Sequence, residues 1–137
     1  MANIPYSPTN TTPARRGRDA GSGAIQPIVW IASSKDDLSA LPRQVKASFG
    51  LRLYELQQGK TPLDMKPLRQ FGTGIYELRE SFDGDAYRVI YVLKLAKAIY
   101  VLHAFMKKSK SGIGLPRPDA ELIVARLRRA MELASEN

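Results

Sequence analysis

Cysteine is absent from the chain, so disulfides, thiolate nucleophiles and cysteine-based zinc sites are excluded. Histidine is almost absent as well. His103 stands alone, which rules out a multi-histidine metal centre. No apolar run approaches the ~20 residues that a helix needs to cross a bilayer, and the start of the sequence carries no signal-peptide core. The expectations are a cytoplasmic location, no membrane partner, no metal and no cofactor. Acidic residues are the last scarcity: 13 Asp and Glu face 21 Lys and Arg, giving a net charge of +8.

What is present fits one folded unit. The 137 residues match the size of a single domain, and a hydrophobic content of 44% is too high for wholesale disorder. Met1–Ile25 differs from the rest, being rich in Pro, Ser, Thr, Asn, Gly and Arg with almost nothing to bury. It reads as a disordered tail, with the folded domain over residues 26–137. The tail carries a net +2, so the domain keeps +6. Such an excess attracts polyanions, because each neutralised phosphate releases condensed counterions, and it points to nucleic acid or an acidic protein as partner.

Ile28–Ala32 is a short β-rich apolar run suited to a buried strand. Ser33 or Ser34 is placed to cap a helix whose first turn holds Asp36 and Asp37. Pro42 opens a second helical segment to about Gln58, stopped by Gly59, with Val45, Phe49, Leu53 and Leu56 as its core stripe. Thr61–Thr73 reads as a loop. Three strands follow: Gly74–Ser81, Ala86–Leu93 across an Asp83-Gly84-Asp85 turn, and Ile99–Met106. Pro118 or Asp119 begins a last helix, in which Leu122, Ala125, Leu127 and Leu133 form the apolar surface. Arg126, Arg128 and Arg129 are expected outside. The predicted architecture is α+β: a strand and helix pair, a three-strand antiparallel meander and a terminal helix. The helices are expected on one sheet face, leaving the other partly open.

Polar residues interrupt all three meander strands: Glu77 and Arg79 on the first, Arg88 on the second, His103 and then Lys107 on the third. Alternation puts His103 on the face of Val101 and Phe105. A basic groove of this kind suits RNA cleavage without metal, in which the ribose 2′-hydroxyl attacks the adjacent phosphate. The products are a 2′,3′-cyclic phosphate and a 5′-hydroxyl. Arg88 and Arg79 suit contact with phosphoryl oxygens, Lys107 and Lys108 suit a phosphate clamp or proton donor, and His103 or Glu77 suits the base. Tyr87 or Phe105 can stack on a base, while Lys66 and Lys110 can extend the RNA-binding surface. Each has a bland counterpart: a hydrogen-bonded structural histidine, a cross-strand charge ladder, a solvated strand end, and ordinary packing aromatics.

The residues also carry a resemblance. Ile31-Ala-Ser-Ser-Lys-Asp-Asp-Leu38, Leu41-Pro42, Lys66-Pro-Leu68, Gly74-Ile-Tyr-Glu-Leu-Arg79, Ala86-Tyr-Arg-Val-Ile-Tyr-Val92 and Ile99–Ser109 occur in one order over most of the chain. Together they resemble the phage-derived HigB-like branch of the RelE/ParE toxin superfamily. The resemblance implies a RelE-like fold and the toxin of a type II toxin–antitoxin system. Such a toxin is an mRNA endonuclease, generally acting on the ribosome, that inhibits translation and is neutralised by a helix-turn-helix antitoxin. Operator DNA is then reached only through the antitoxin. It further implies that Arg88 helps hold the scissile phosphate, that Lys107 and Lys108 are catalytic cations, and that Glu77 and Arg79 lie on a strand that supplies active-site residues. Two departures stand out: Ser109-Lys-Ser-Gly112 replaces the Thr-Gln-Lys-Thr common after the double lysine, and the N-terminal stretch is long. The alternatives on the same scaffold are a ParE-like, non-enzymatic gyrase poison and an inactive antitoxin-binding corepressor.

Overall fold

The computed structural model describes residues 25–107 and 115–136. Of the expected tail only Ile25 falls within them, and Lys108 and Lys110 lie outside. The elements in chain order are β1 (Ile28–Trp30), α1 (Ser34–Ser39), α2 (Arg43–Gln57), β2 (Lys66–Pro67), a 3-10 turn (Arg69–Phe71), β3 (Ile75–Phe82), β4 (Asp85–Leu95), β5 (Ala98–Lys107) and α3 (Arg117–Ser135). The α+β class and the meander of the sequence reading stand. Part of the expected loop, however, is the short edge strand β2, whose Lys66 pairs with Glu77.

Local chemistry explains most boundaries. Pro42 occupies the N-cap position of α2, where its missing N–H costs nothing. The helix ends in a Schellman arrangement: Gly59 N–H donates to the Leu56 carbonyl and Lys60 N–H to that of Glu55. That turn needs a left-handed residue, and Gly59 supplies φ +84°. The β3–β4 hairpin closes on Asp83-Gly84, both at positive φ, as a two-residue turn matched to strand twist requires. Ser33 does not cap the α1 backbone through its side chain; its hydroxyl donates instead to the Asp37 carboxylate.

One five-stranded sheet results, in the order β1-β5-β4-β3-β2. β1 lies parallel to β5, and every other pairing is antiparallel. The core has two halves. Leu38, Val45, Phe49, Leu53 and Leu56 of α1 and α2 pack on Leu78, Tyr87, Val89, Tyr91, Ile99 and Val101. On the other face, Ile123 and Ala130 of α3, with Leu127 and Leu133 beside them, cover Ile90, Val92, Tyr100 and Leu102.

The expectation that all helices share one face is therefore corrected: α3 lies on the face opposite α1 and α2. β4 and β5 are apolar on both sides, and a one-sided arrangement would leave Ile90, Val92, Tyr100 and Leu102 in water at a cost of ~1.5–3 kcal/mol for each large side chain. The apolar surface of α3 also centres on Ile123 and Ala130, whereas Ala125 is exposed.

A second correction concerns strand parity. Ile90 pairs with His103 but Tyr91 pairs with Val101, so Leu102 is an extra residue, a β-bulge. The bulge breaks the alternation along β5. Val101 faces α1 and α2, while His103 joins Phe105 and Lys107 on the α3 face. Arg126 is the third correction. Instead of pointing outward with Arg128 and Arg129, it donates to the Leu102 carbonyl at 2.9 Å and to the Ser33 hydroxyl at 2.9 Å, with Asp37 at 3.5 Å.

Candidate active site on the face shared with helix α3

Antiparallel pairing assembles the polar residues into rows across the α3 face. Glu77 lies opposite Ile90, which lies opposite His103; Arg79 lies opposite Arg88, which lies opposite Phe105; Ala86 lies opposite Lys107. Directly opposed Cβ atoms are ~5 Å apart, so side chains from all three strands meet. Lys66 extends the first row at the sheet edge, opposite Glu77 and exposed.

Five buried polar or charged side chains occur among the described residues, and four of them belong to this patch: Glu77, Arg88, His103 and Lys107, each no more than 8% exposed. The fifth, Ser34, is satisfied by the Val101 carbonyl. Burying charge is costly unless it is paired, so concentrating it in one place calls for a reason. The Arg88 guanidinium comes within 3.0 Å of Glu77 Oε2. The contact is electrostatic, without hydrogen-bond alignment, and Glu77 Oε2 has no hydrogen-bond partner in the protein. Arg88 Nε and His103 Nδ1 are buried without partners too. Unsatisfied buried polar atoms are rare in folded proteins, each costing ~1–3 kcal/mol, and here the described ones fall together.

The electrostatics run in the same direction. Burial lowers the Arg88 pKa, Glu77 offsets this, and Arg79 adds to the lowering. Lys107 is also pulled below the ordinary lysine value, by burial first, then by Arg88 and Arg79, against an opposing effect of Glu77. Four cations, Lys66, Arg79, Arg88 and Lys107, thus face one central carboxylate. Such a surface favours a polyanion and can hold phosphoryl oxygens.

His103 is positioned from three sides. The bulge turns it to this face, its ring stacks on Phe105 with centroids 4.3 Å apart and planes at 13°, and Nε2 lies 2.8 Å from Asp119 Oδ1 on α3. Phe105 is therefore at the site, beneath the imidazole. Tyr87 is not: alternation sends it to the opposite face, into the α2 core, away from any groove. The structure thus brings together Glu77, Arg79, Arg88, His103, Phe105, Lys107 and the edge residue Lys66. Sequence reasoning missed Asp119 and Arg126. Both are ordinary helix-surface residues by pattern, and only the placement of α3 gives them their contacts.

A depression of about 440 Å³ on the α2 side is a different kind of feature. Its central Arg52 is already bound by Asp64, Glu80, Ser48 and the Arg79 carbonyl, and stacks over Phe49. The charge at its centre is therefore neutralised within the fold. Among the described residues, no three metal-ligating side chains converge, and no helix is long and apolar enough to cross a membrane.

No curated protein matches the chain. Among solved structures, a mutant of the E. coli toxin RelE in its free state is similar at a TM-score of 0.52 and 14% identity, covering 77% of this chain and 97% of that one. The toxin–antitoxin complex RelBE2 from Mycobacterium tuberculosis matches at a TM-score of 0.43 and 21% identity, over 60% of this chain and 98% of that one. The family model described as phage derived protein Gp49-like (DUF891) matches residues 36–128, which include every strand of the meander. The chain belongs to this phage-derived Gp49-like family and has a RelE-like fold.

Proposed function

We propose that the protein is the toxin of a type II toxin–antitoxin system and that it inhibits translation by cutting mRNA, generally on the ribosome in the cytoplasm. The observation that carries this reading is the cluster of buried, unpartnered polar atoms at Arg88, Glu77 and His103 inside a cationic patch. A surface that merely docks a protein has no need of such costly burial.

In this reading Arg88 Nε and the exposed Arg79 guanidinium hold the phosphoryl oxygens, and Glu77 fixes the Arg88 side chain. The ribose 2′-oxygen attacks phosphorus as a base on the protein removes its proton. The P–O5′ bond breaks, and the departing oxygen takes a proton from Lys107, whose lowered pKa makes it a better acid than a free lysine. A 2′,3′-cyclic phosphate and a 5′-hydroxyl result, with no metal required. The partners are mRNA, the ribosome and a helix-turn-helix antitoxin, with operator DNA contacted only through that antitoxin.

The test is incubation with mRNA and translating ribosomes, with and without a chelator, followed by mapping of the RNA ends. Expected are fragments with 5′-hydroxyl termini that persist in chelator, and a loss of about a hundredfold or more for Arg88→Ala. Intact RNA under translating conditions sinks the reading, and DNA breaks or gyrase inhibition would replace it with the ParE-like one.

A further inference from the structure

We propose that Asp119 is a positioning residue, holding His103 as its Nε2–H tautomer so that Nδ1 is the lone-pair nitrogen that takes the proton from the attacking hydroxyl. This rests on the ribonuclease reading and names its base.

The argument begins with hydrogen-bond roles. An ionised carboxylate only accepts, so at 2.8 Å from Asp119 Oδ1 the His103 Nε2 carries the hydrogen. A neutral imidazole then bears its lone pair on Nδ1. Nδ1 is buried and has no partner in the protein. A histidine retained only for packing gains nothing from that orphan, and at ~1–3 kcal/mol it is a costly thing to keep. The orphan does have a use if a substrate hydroxyl is to meet it.

Ring orientation is fixed as strictly as the tautomer. Phe105 stacks on one face of the imidazole. The Leu102 bulge that delivers His103 to this side is held at its carbonyl by Arg126, and both Arg126 and Asp119 belong to α3. One helix therefore secures both the backbone beside the histidine and its ring. The charged groups around the imidazole are Asp119 on α3, Glu77 in the same cross-strand row, and Arg88 and Lys107 in the adjoining rows.

Glu77, the other possible base, is committed differently. Its carboxylate lies 3.0 Å from the Arg88 guanidinium and serves as the counter-ion of that buried cation. With His103 as base, proton and bonds balance. Nδ1 takes the 2′-hydroxyl proton as the O2′–P bond forms, and Asp119 stabilises the resulting imidazolium. Lys107 supplies a proton to O5′ as the P–O5′ bond breaks. Solvent then reprotonates Lys107 and deprotonates His103.

His103 is the chain's single histidine, so a long-range proton–nitrogen spectrum of tag-free, nitrogen-15-labelled full-length protein contains one imidazole. Expected in the wild type is a downfield ring N–H on Nε2, slow to exchange, that disappears in Asp119→Ala. Cleavage by the same variant should lose about ten- to a hundredfold in kcat with KM within about twofold, since Asp119 acts through His103 rather than on RNA. In a His103→Gln background, where the amide can still donate to Asp119 and keep α3 docked, Asp119→Ala should cost less than about twofold.

An N–H on Nδ1 in the wild type, an unchanged ring signal in Asp119→Ala, or the full loss repeated in the His103→Gln background would overturn the inference. A purely structural Asp119 would lower Tm and leave kcat per folded molecule intact, which also overturns it. Wild-type protein that leaves RNA whole overturns the ribonuclease reading and the catalytic half of this one, while the spectrum decides the tautomer separately.

Discussion

At the scale of single residues, the site is built from groups the fold would rather not bury. Lys107 makes this measurable. Its pKa is held below the ordinary lysine value by burial, then by Arg88 and Arg79. Between the lowered folded value and the ordinary unfolded one, the unfolded chain binds more protons than the folded chain. Stability therefore rises with pH through that interval, and at neutral pH the charged Lys107 opposes folding. Lys107→Met removes the charge and keeps most of the stem. The variant should melt higher than the wild type at neutral pH, with the gap narrowing as pH climbs toward the ordinary lysine range. Its RNA cleavage should fall about a hundredfold. Thermal melts across that pH range, with cleavage assayed alongside, check both halves. A lower Tm in the Met variant, or a gap indifferent to pH, would show that burial of this ammonium costs the fold nothing.

At the scale of elements, the site depends on the meeting of a bulged strand with a helix from the opposite layer to α1 and α2. Arg126 of α3 donates to the carbonyl of the bulge residue Leu102 while also reaching Ser33 and Asp37 at the sheet edge. Arg126→Leu keeps the stem's packing but loses these charge-assisted bonds. It is expected to cost about 2 kcal/mol in denaturant unfolding and to lower RNA cleavage, because the backbone beside His103 loses its anchor. A stability change within about 0.5 kcal/mol, the usual range for a surface position, would mean that the bulge holds itself. The same junction marks the limit of what the sequence reveals. The strand and helix types, the α2 stripe, the Gly59 stop and the Asp83-Gly84 turn rest on local chemistry, and the structure has them where the pattern puts them. Glu77 and Arg79 were legible as sharing one face, and Phe105 and Lys107 as sharing one, because parity is local within a strand; that both pairs join Arg88 on the same side of the sheet follows only from the pairing. His103 lost its expected neighbour Val101 to a bulge that no residue in Tyr100–Ala104 announces, having neither glycine nor proline. The position of α3 had a signal that one-sided reading overlooked. Val89–Leu93 and Ile99–Leu102 are continuous apolar runs, the mark of strands covered on both faces. Asp119 had none, since its partner lies sixteen residues away across two layers.

At the scale of the whole molecule, the three layers divide the work. α1 and α2 close one face of the sheet, where Arg52 is saturated by its own neighbours. α3 closes only part of the other, over Ile90, Val92, Tyr100 and Leu102, with the Glu77–His103 row at its border and Arg79, Arg88, Phe105 and Lys107 further along the same strands. Beside the net charge of +8, what matters at this face is the grouping of Lys66, Arg79, Arg88 and Lys107 on neighbouring strands. For a single-stranded RNA, each neutralised phosphate contributes about −0.7 to the slope of log K against log salt. If Lys66, Arg79, Arg88 and Lys107 each neutralise one, binding of a non-cleavable RNA with 2′-deoxy substitution should show a slope of about −3. Lys66→Ala should reduce its magnitude by about 0.7, because Lys66 is exposed at the edge of the patch. Arg52→Ala should leave the slope unchanged, since that guanidinium is neutralised within the fold by Asp64 and Glu80. Filter-binding titrations over a tenfold range of salt distinguish the two. A slope that responds equally to both substitutions would place RNA over the general positive surface, and the grouping of these four cations would then have no part in guiding it.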